Sequence, residues 1–469
     1  MNLDRISRSS WWLEQALAVE PGAARPPLSG QRSADVCVVG GGYTGLWTAL
    51  SIKESDPSTA VTLLEARECG FGASGRNSGF VLSYWPKIDA LTAMLGAERG
   101  VRLARASSDA ILEIGAFCEQ HRIAADFVQS GWYWTATSRA QLGAWSAMLA
   151  TCAELGESSF REVDRDQLRQ LTGSDIYLGG VHDASAAAIQ PATLARGLRR
   201  VALERGVEIC ESSPVREIDR EAGVVRTAAG SVRAPAIVLA TNAWAARLPE
   251  LRRAIVPIAA DGVLTEPIGE RLDAAGWRGQ DLFTNSRLTI RSCRRTADGR
   301  VLFGHGGGAV AFAGRFGRRF GFDRRATARV ARDLPRYVPP ALDARITHAW
   351  AGPVDRSIDG LPIVGRLPGR ARVLYGVGFS GNGIAPALLV GRALAALAQG
   401  REDEWVGLGL VREPAGLFPP EPVRHIGGKL VRAAVLRKED REEAGGRAGP
   451  IVRALARRAP TTWYKPAED

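Results

Sequence analysis

Residues 36–45 constrain this chain more than any other stretch. Four apolar residues, Val36 to Val39, run into Gly40-Gly41-Gly42, and Gly45 follows shortly after. A short unbroken apolar run predicts a strand buried on both faces, as in a parallel sheet. Gly40 permits a tight turn, Gly42 lets backbone approach a pyrophosphate, and Gly45 lets the next helix pack on the strand. Tyr43 and Thr44 then lie at a helix start, where unpaired amides and the helix dipole attract phosphate oxygens. About 20 residues on, the apolar run Val61 to Leu64 ends in Glu65, an acid placed to accept hydrogen bonds from a ribose diol. A glycine turn made for packing alone is the competing reading. Strand, helix and acid in this order favour a dinucleotide.

Gly70 to Gly79 form a second loop of small residues that includes Ala73, Ser74, Arg76, Asn77 and Ser78. Such a loop lets backbone and hydroxyl groups close on another part of the same ligand; alone, it also reads as a surface loop. Three later segments follow: Ala236 to Trp244 with Thr241 and Asn242, Trp350 to Gly365 with Gly352, Asp359 and Pro362, and Gly378-Phe379-Ser380-Gly381-Asn382-Gly383-Ile384. With these motifs in this order, over roughly residues 35–400, the chain resembles the D-amino-acid-oxidase-like FAD-dependent oxidoreductases. That superfamily includes glycine and sarcosine oxidases, glycerol-3-phosphate dehydrogenase and γ-glutamylputrescine oxidase.

The resemblance implies an α/β fold: an FAD-binding Rossmann-like domain of the glutathione-reductase type, interleaved with an α+β substrate domain on a mostly antiparallel sheet. It implies FAD held by the two glycine loops and Glu65, by Val215, Thr241, Asn242 and Trp244, by Gly352 and Asp359, and by the 378–384 turn. It places His305, Trp350 and Asn382 as candidate pocket residues. A helix from Ile384 to Gln399, with Pro386 harmless in its first turn, would aim its positive end at the flavin.

The implied reaction removes hydride from the carbon beside the nitrogen of a small primary or secondary amine, and the resulting imine hydrolyses to a carbonyl. The electrons pass to oxygen or another acceptor. Two departures matter. Where sarcosine oxidases carry a substrate-binding lysine after the 378–383 turn, this chain has Ala385, so a simple α-carboxylate held that way is not expected. No cysteine lies in Ala349-Trp350-Ala351-Gly352, so FAD is expected to be non-covalent. The γ-glutamylputrescine-oxidase-like and aminophosphonate-oxidoreductase-like branches fit best. Still open are a hydroxy-acid or polyol-phosphate dehydrogenase that feeds a quinone, a nicotinamide dehydrogenase, and a non-catalytic flavin-binding partner.

Composition narrows the setting. Six cysteines without regular spacing argue for reduced thiols in a cytoplasm. No signal-peptide pattern and no apolar run of about 18 residues predict neither secretion nor a membrane span. The net charge of +11 is mostly scattered arginine among acids, which argues against nucleic acid. The densest basic stretch, Arg287 to Arg325, holds ten arginines and either borders an anionic-substrate site or forms a solvated hairpin face.

Along the chain, residues 1–33 read as an N-terminal arm. Residues 34–85, 177–255 and 346–400 read as the FAD-binding domain, and 86–176 and 256–345 as the substrate domain. Residues 401–469 read as a helical tail that docks on the body. Monomer and homo-oligomer are both compatible with the sequence.

Overall fold

A computed structural model describes residues 6–460 other than Pro21, Ser158 and Arg370. The first residues of the arm and the last of the tail, 1–5 and 461–469, lie outside the described residues.

Val36–Val39 and Val61–Leu64 pair in parallel, and every residue in both is buried. Alternation divides them between two cores. Val36 and Val38 pack with Leu46, Trp47 and Leu50 of the helix Tyr43–Ser55. Cys37 and Val39 pack with Val225 and Val232 of a small four-stranded sheet. The central sheet has six strands in the order 363–367, 372–377, 236–239, 36–39, 61–64 and 208–210. Only Ile363–Leu367 runs antiparallel. A β-carbon on Gly45 would collide with the Gly40 carbonyl oxygen, so helix and strand end lie closer than any side chain permits.

A second sheet of eight strands stands beside the first. Its pairs are antiparallel except Leu282–Asn285 against Trp132–Ala136. A turn at Asp298-Gly299 joins Arg291–Arg295 to Val301–His305. Helix Arg324–Tyr337 covers the outer face, where Val330 and Leu334 meet Val263 and Phe303. Gly262, Leu302, Gly304 and Trp350, one step along their strands, line the inner face.

The segment boundaries differ from the expected ones in three places. Gly179–Asp183, near the start of 177–255, pairs in the eight-stranded sheet, and so does Ile346–Arg356, at the start of 346–400. Their place is set by hydrogen-bond partners distant in sequence, which local composition does not reveal. Helix Ala97–Gln120, within 86–176, packs on the nucleotide-binding unit: Phe117 meets Trp47 edge-on at 4.8 Å, and Glu113 pairs with Arg392 at 2.5 Å.

The tail forms helices Val423–Glu443 and Pro450–Ala456. Its anchor is Arg287, 1% exposed, which pairs with Glu439 at 3.2 Å, Asp440 at 2.6 Å and Glu443 at 3.2 Å. Tyr337 adds a hydroxyl donated to Glu443 at 2.7 Å. Among the described residues no helix is long and apolar enough to cross a membrane.

Candidate active site

A cavity of about 1050 Å³ runs between the two sheets and reaches the tail. Glu65 and Val215 line one end. Glu65 accepts from the Gly41 amide at 2.7 Å and the Arg67 amide at 2.9 Å, and burial pushes its carboxyl above the ordinary range. The middle is lined by Gly40, Gly42, Tyr43 and Thr44 on one side and by Ala73, Ser74, Arg76 and Asn77 on the other. No side chain caps the helix Tyr43–Ser55 at Gly42, although the Tyr43 amide donates to the Ser74 hydroxyl at 3.0 Å. Thr241, Asn242 and Trp244 form a third side.

The far end opens on the inner face of the eight-stranded sheet. Ser78, Trp132, Ser292, Trp350 and Gly352 line it, opposite the bend Ser380-Gly381-Asn382-Gly383 and the first helical residue, Ile384. Trp350 is fixed by its indole N–H, which donates to the Arg76 carbonyl at 2.9 Å. Helix Ile384–Ala398 starts at Gly383 with no side-chain cap. Beneath the bend, Asp355 accepts from the Gly378 amide at 2.5 Å, and burial pushes its carboxyl up to about 6.

A dinucleotide fits this arrangement on two observations. The side-chain oxygens of Asn242 and Asn382, both lining the cavity, are buried without a hydrogen-bond partner. Asn242 and Ser380 hold φ at 47° and 57°, a left-handed conformation unfavourable for non-glycine residues and concentrated at functional sites.

Four residues assigned to cofactor binding do not line the cavity. Gly45 packs the helix on the strand, and Gly79 (φ 72°) closes a turn with its amide on Asn77 at 2.8 Å. Gly378 (φ 89°) turns the chain above Asp355. Asp359 pairs instead with Arg412 of the tail at 2.7 Å. Gly79 and Gly378 shape turns whose neighbours Ser78, Phe80 and Phe379 line the cavity. None of the ten arginines between 287 and 325 lines it either. Arg287, Arg291 and Arg294 are buried and paired within the protein, Arg294 through the Ile189 carbonyl at 2.7 Å. The cavity's cations come from elsewhere and include Arg76, Arg356 and Arg432.

His305 does border the cavity, next to Asp261 in register. Burial and then the nearby Arg291 and Arg329 hold its imidazole well below its usual value. Asp261 escaped the sequence reading, because no motif marks it within its strand. Burial, then Asp323, pushes its carboxyl up to about 7. None of the six cysteines lines the cavity, and all are free and buried.

Comparison with known proteins gives the context. A family model described as "FAD dependent oxidoreductase" (DAO) matches residues 35–397. The chain is 31% identical over 375 residues to gamma-glutamylputrescine oxidoreductase of Escherichia coli, covering 79% of this chain and 85% of that protein. It is 30% identical over 440 residues to a probable oxidoreductase, OrdL, of Rhizobium meliloti, covering 92% and 96%. The crystal structure of glycine oxidase from Geobacillus kaustophilus superposes with a TM-score of 0.67 at 20% identity, over 81% of this chain and 99% of that one.

Proposed function

The chain belongs to the DAO family of FAD-dependent oxidoreductases, and from that premise we propose that it oxidises the carbon beside the nitrogen of an elongated primary or secondary amine. FAD, when bound, accepts the hydride; the protein binds, orients and desolvates the substrate. One observation carries the reading: the dinucleotide cradle opens into a compartment walled by Trp132, Leu302 and Trp350. An apolar wall favours the neutral amine, the form that releases hydride. The unpartnered oxygen of Asn382 offers an acceptor for an N–H in that compartment. The greater identity to the gamma-glutamylputrescine enzyme (31%) than to the glycine oxidases (24% to 27%) favours a γ-glutamyl alkylamine over a small amino acid. The missing lysine at Ala385 supports the same choice.

The test is anaerobic addition of γ-glutamylputrescine, simple diamines, glycine, 2-hydroxy acids and glycerol 3-phosphate to the yellow protein. Loss of the flavin band near about 450 nm with amines alone is expected. Bleaching by a hydroxy acid or by glycerol phosphate, with none by any amine, refutes it.

A further inference from the structure

We propose that the C-terminal helices complete the substrate chamber, and that Arg432 and Asp261 together hold an α-amino-acid head group at the far end of the amine substrate. This deepens the reading above and rests on it. The shared domain ends at residue 397, so helix Val423–Glu443 lies beyond it. The cavity face of that helix recurs at helical spacing: Val423, Gly427, Gly428, Val431, Arg432 and Val435.

Adjacent glycines inside a helix are unfavourable compared with alanine. Crowding within the chain does not require them. A β-carbon on Gly427 would meet no described atom within 4 Å, and one on Gly428 would reach only Val310, at 3.7 Å. The space they leave open belongs to the cavity.

Two charges flank that space. Arg432 donates its Nε–H to the Gly307 carbonyl, which fixes the guanidinium at the wall, and no described carboxylate forms an ion pair with it. Asp261, 5% exposed, lines the same cavity with no hydrogen-bond or ion-pair partner among the described residues. A buried carboxyl group without a hydrogen-bond partner is unfavourable, and a ligand cation that bonds to it would supply the missing partner. A carboxylate suits the guanidinium fork and an ammonium suits Asp261. A ligand that carries both on one carbon, with an apolar spacer along Val431 and Val435, is an amino acid extended through its side chain to the reacting amine.

Calorimetry on the FAD-loaded protein with three probes that lack the reacting amine tests this. They are γ-L-glutamyl-butylamide, N-butylglutaramate without the α-ammonium, and N-butylbutanamide without either charge. The expected order of affinity is the order given, with each step roughly tenfold, as for a charge-assisted hydrogen bond. Arg432→Gln removes the preference for glutaramate over butanamide, and Asp261→Asn removes that for glutamyl over glutaramate. Gly428→Leu weakens all three without lowering the melting temperature. If Arg432→Gln loses FAD, Arg432→Lys carries the same test through a partial loss. Equal binding of the three probes by the unaltered protein overturns the proposal, as do preferences that survive the variants. Since the probes are not oxidised, this result stands apart from the anaerobic screen.

Discussion

A β-carbon on Gly45 would strike the Gly40 carbonyl oxygen, so this one residue sets how closely the phosphate-facing helix approaches its strand. Gly45→Ala should push the helix outward and misplace its first amides, at a cost of about 1–3 kcal/mol for overpacking. The expected outcome is less than half the normal flavin content in the purified protein and a melting point several degrees lower. Full flavin content with an unchanged melting curve would refute it. Gly45 was legible in the sequence because its constraint is local, backbone against backbone. Asp261 was not. Its place depends on pairing with His305 and on a tail helix far along the chain. It carries its own pH prediction, since Asp323 raises its carboxyl further while Arg329 and Arg432 oppose burial. The folded value, about 7, lies above the ordinary 3.8, so the native state keeps a proton that the unfolded chain has released. Stability from this site is therefore lost as pH rises through that window. The melting point of Asp261→Asn relative to the unaltered protein should climb between about pH 4 and about pH 7; a constant difference would count against it.

At the scale of elements, the tail helix turns on Arg287. Glu439 and Glu443 are nearly as buried as the guanidinium they share, at 5% and 6% exposure against 1%. Arg287→Met would leave both carboxylates without that partner, and breaking a buried pair costs about 3–5 kcal/mol. The loss should be local: hydrogen exchange over 423–443 speeds up and proteases cut in the Pro-rich 414–422 stretch, while the central sheet stays protected. Adding Glu439→Gln and Glu443→Gln should restore part of the protection. Unchanged exchange in the single variant would show that the helix is held by other means. The sequence disclosed a helical tail but not its seat, since the seat is a buried arginine in a stretch that reads as a solvated hairpin as readily as a site border. Strand Ile346–Arg356 shows the same limit. Its motif reads as part of the FAD-binding domain, yet the ten-position register with Val256–Thr265 puts it in the eight-stranded sheet.

At the scale of the whole molecule, the two sheets and the tail border one cavity, and the residues lining it are the ones expected to hold FAD. The order of glycine motifs along the chain was enough to anticipate the cradle, because each motif answers a steric demand of the same ligand. The closure of the far end was not anticipated, because it joins the tail to sheet edges that no motif marks. Among the described residues no cysteine lines the cavity, and the one lining histidine is buried beside Asp261, so FAD is expected to be held without a covalent bond. Acid precipitation should then leave a colourless pellet and a yellow supernatant. Protein stripped of FAD should melt at a lower temperature that climbs as FAD is added back, by the equivalent of about 2.7 kcal/mol at a hundred times the dissociation constant. A pellet that stays yellow would mean a covalent bond at a residue the cavity does not show. A melting point indifferent to added FAD would mean that the two sheets hold their spacing without the ligand between them.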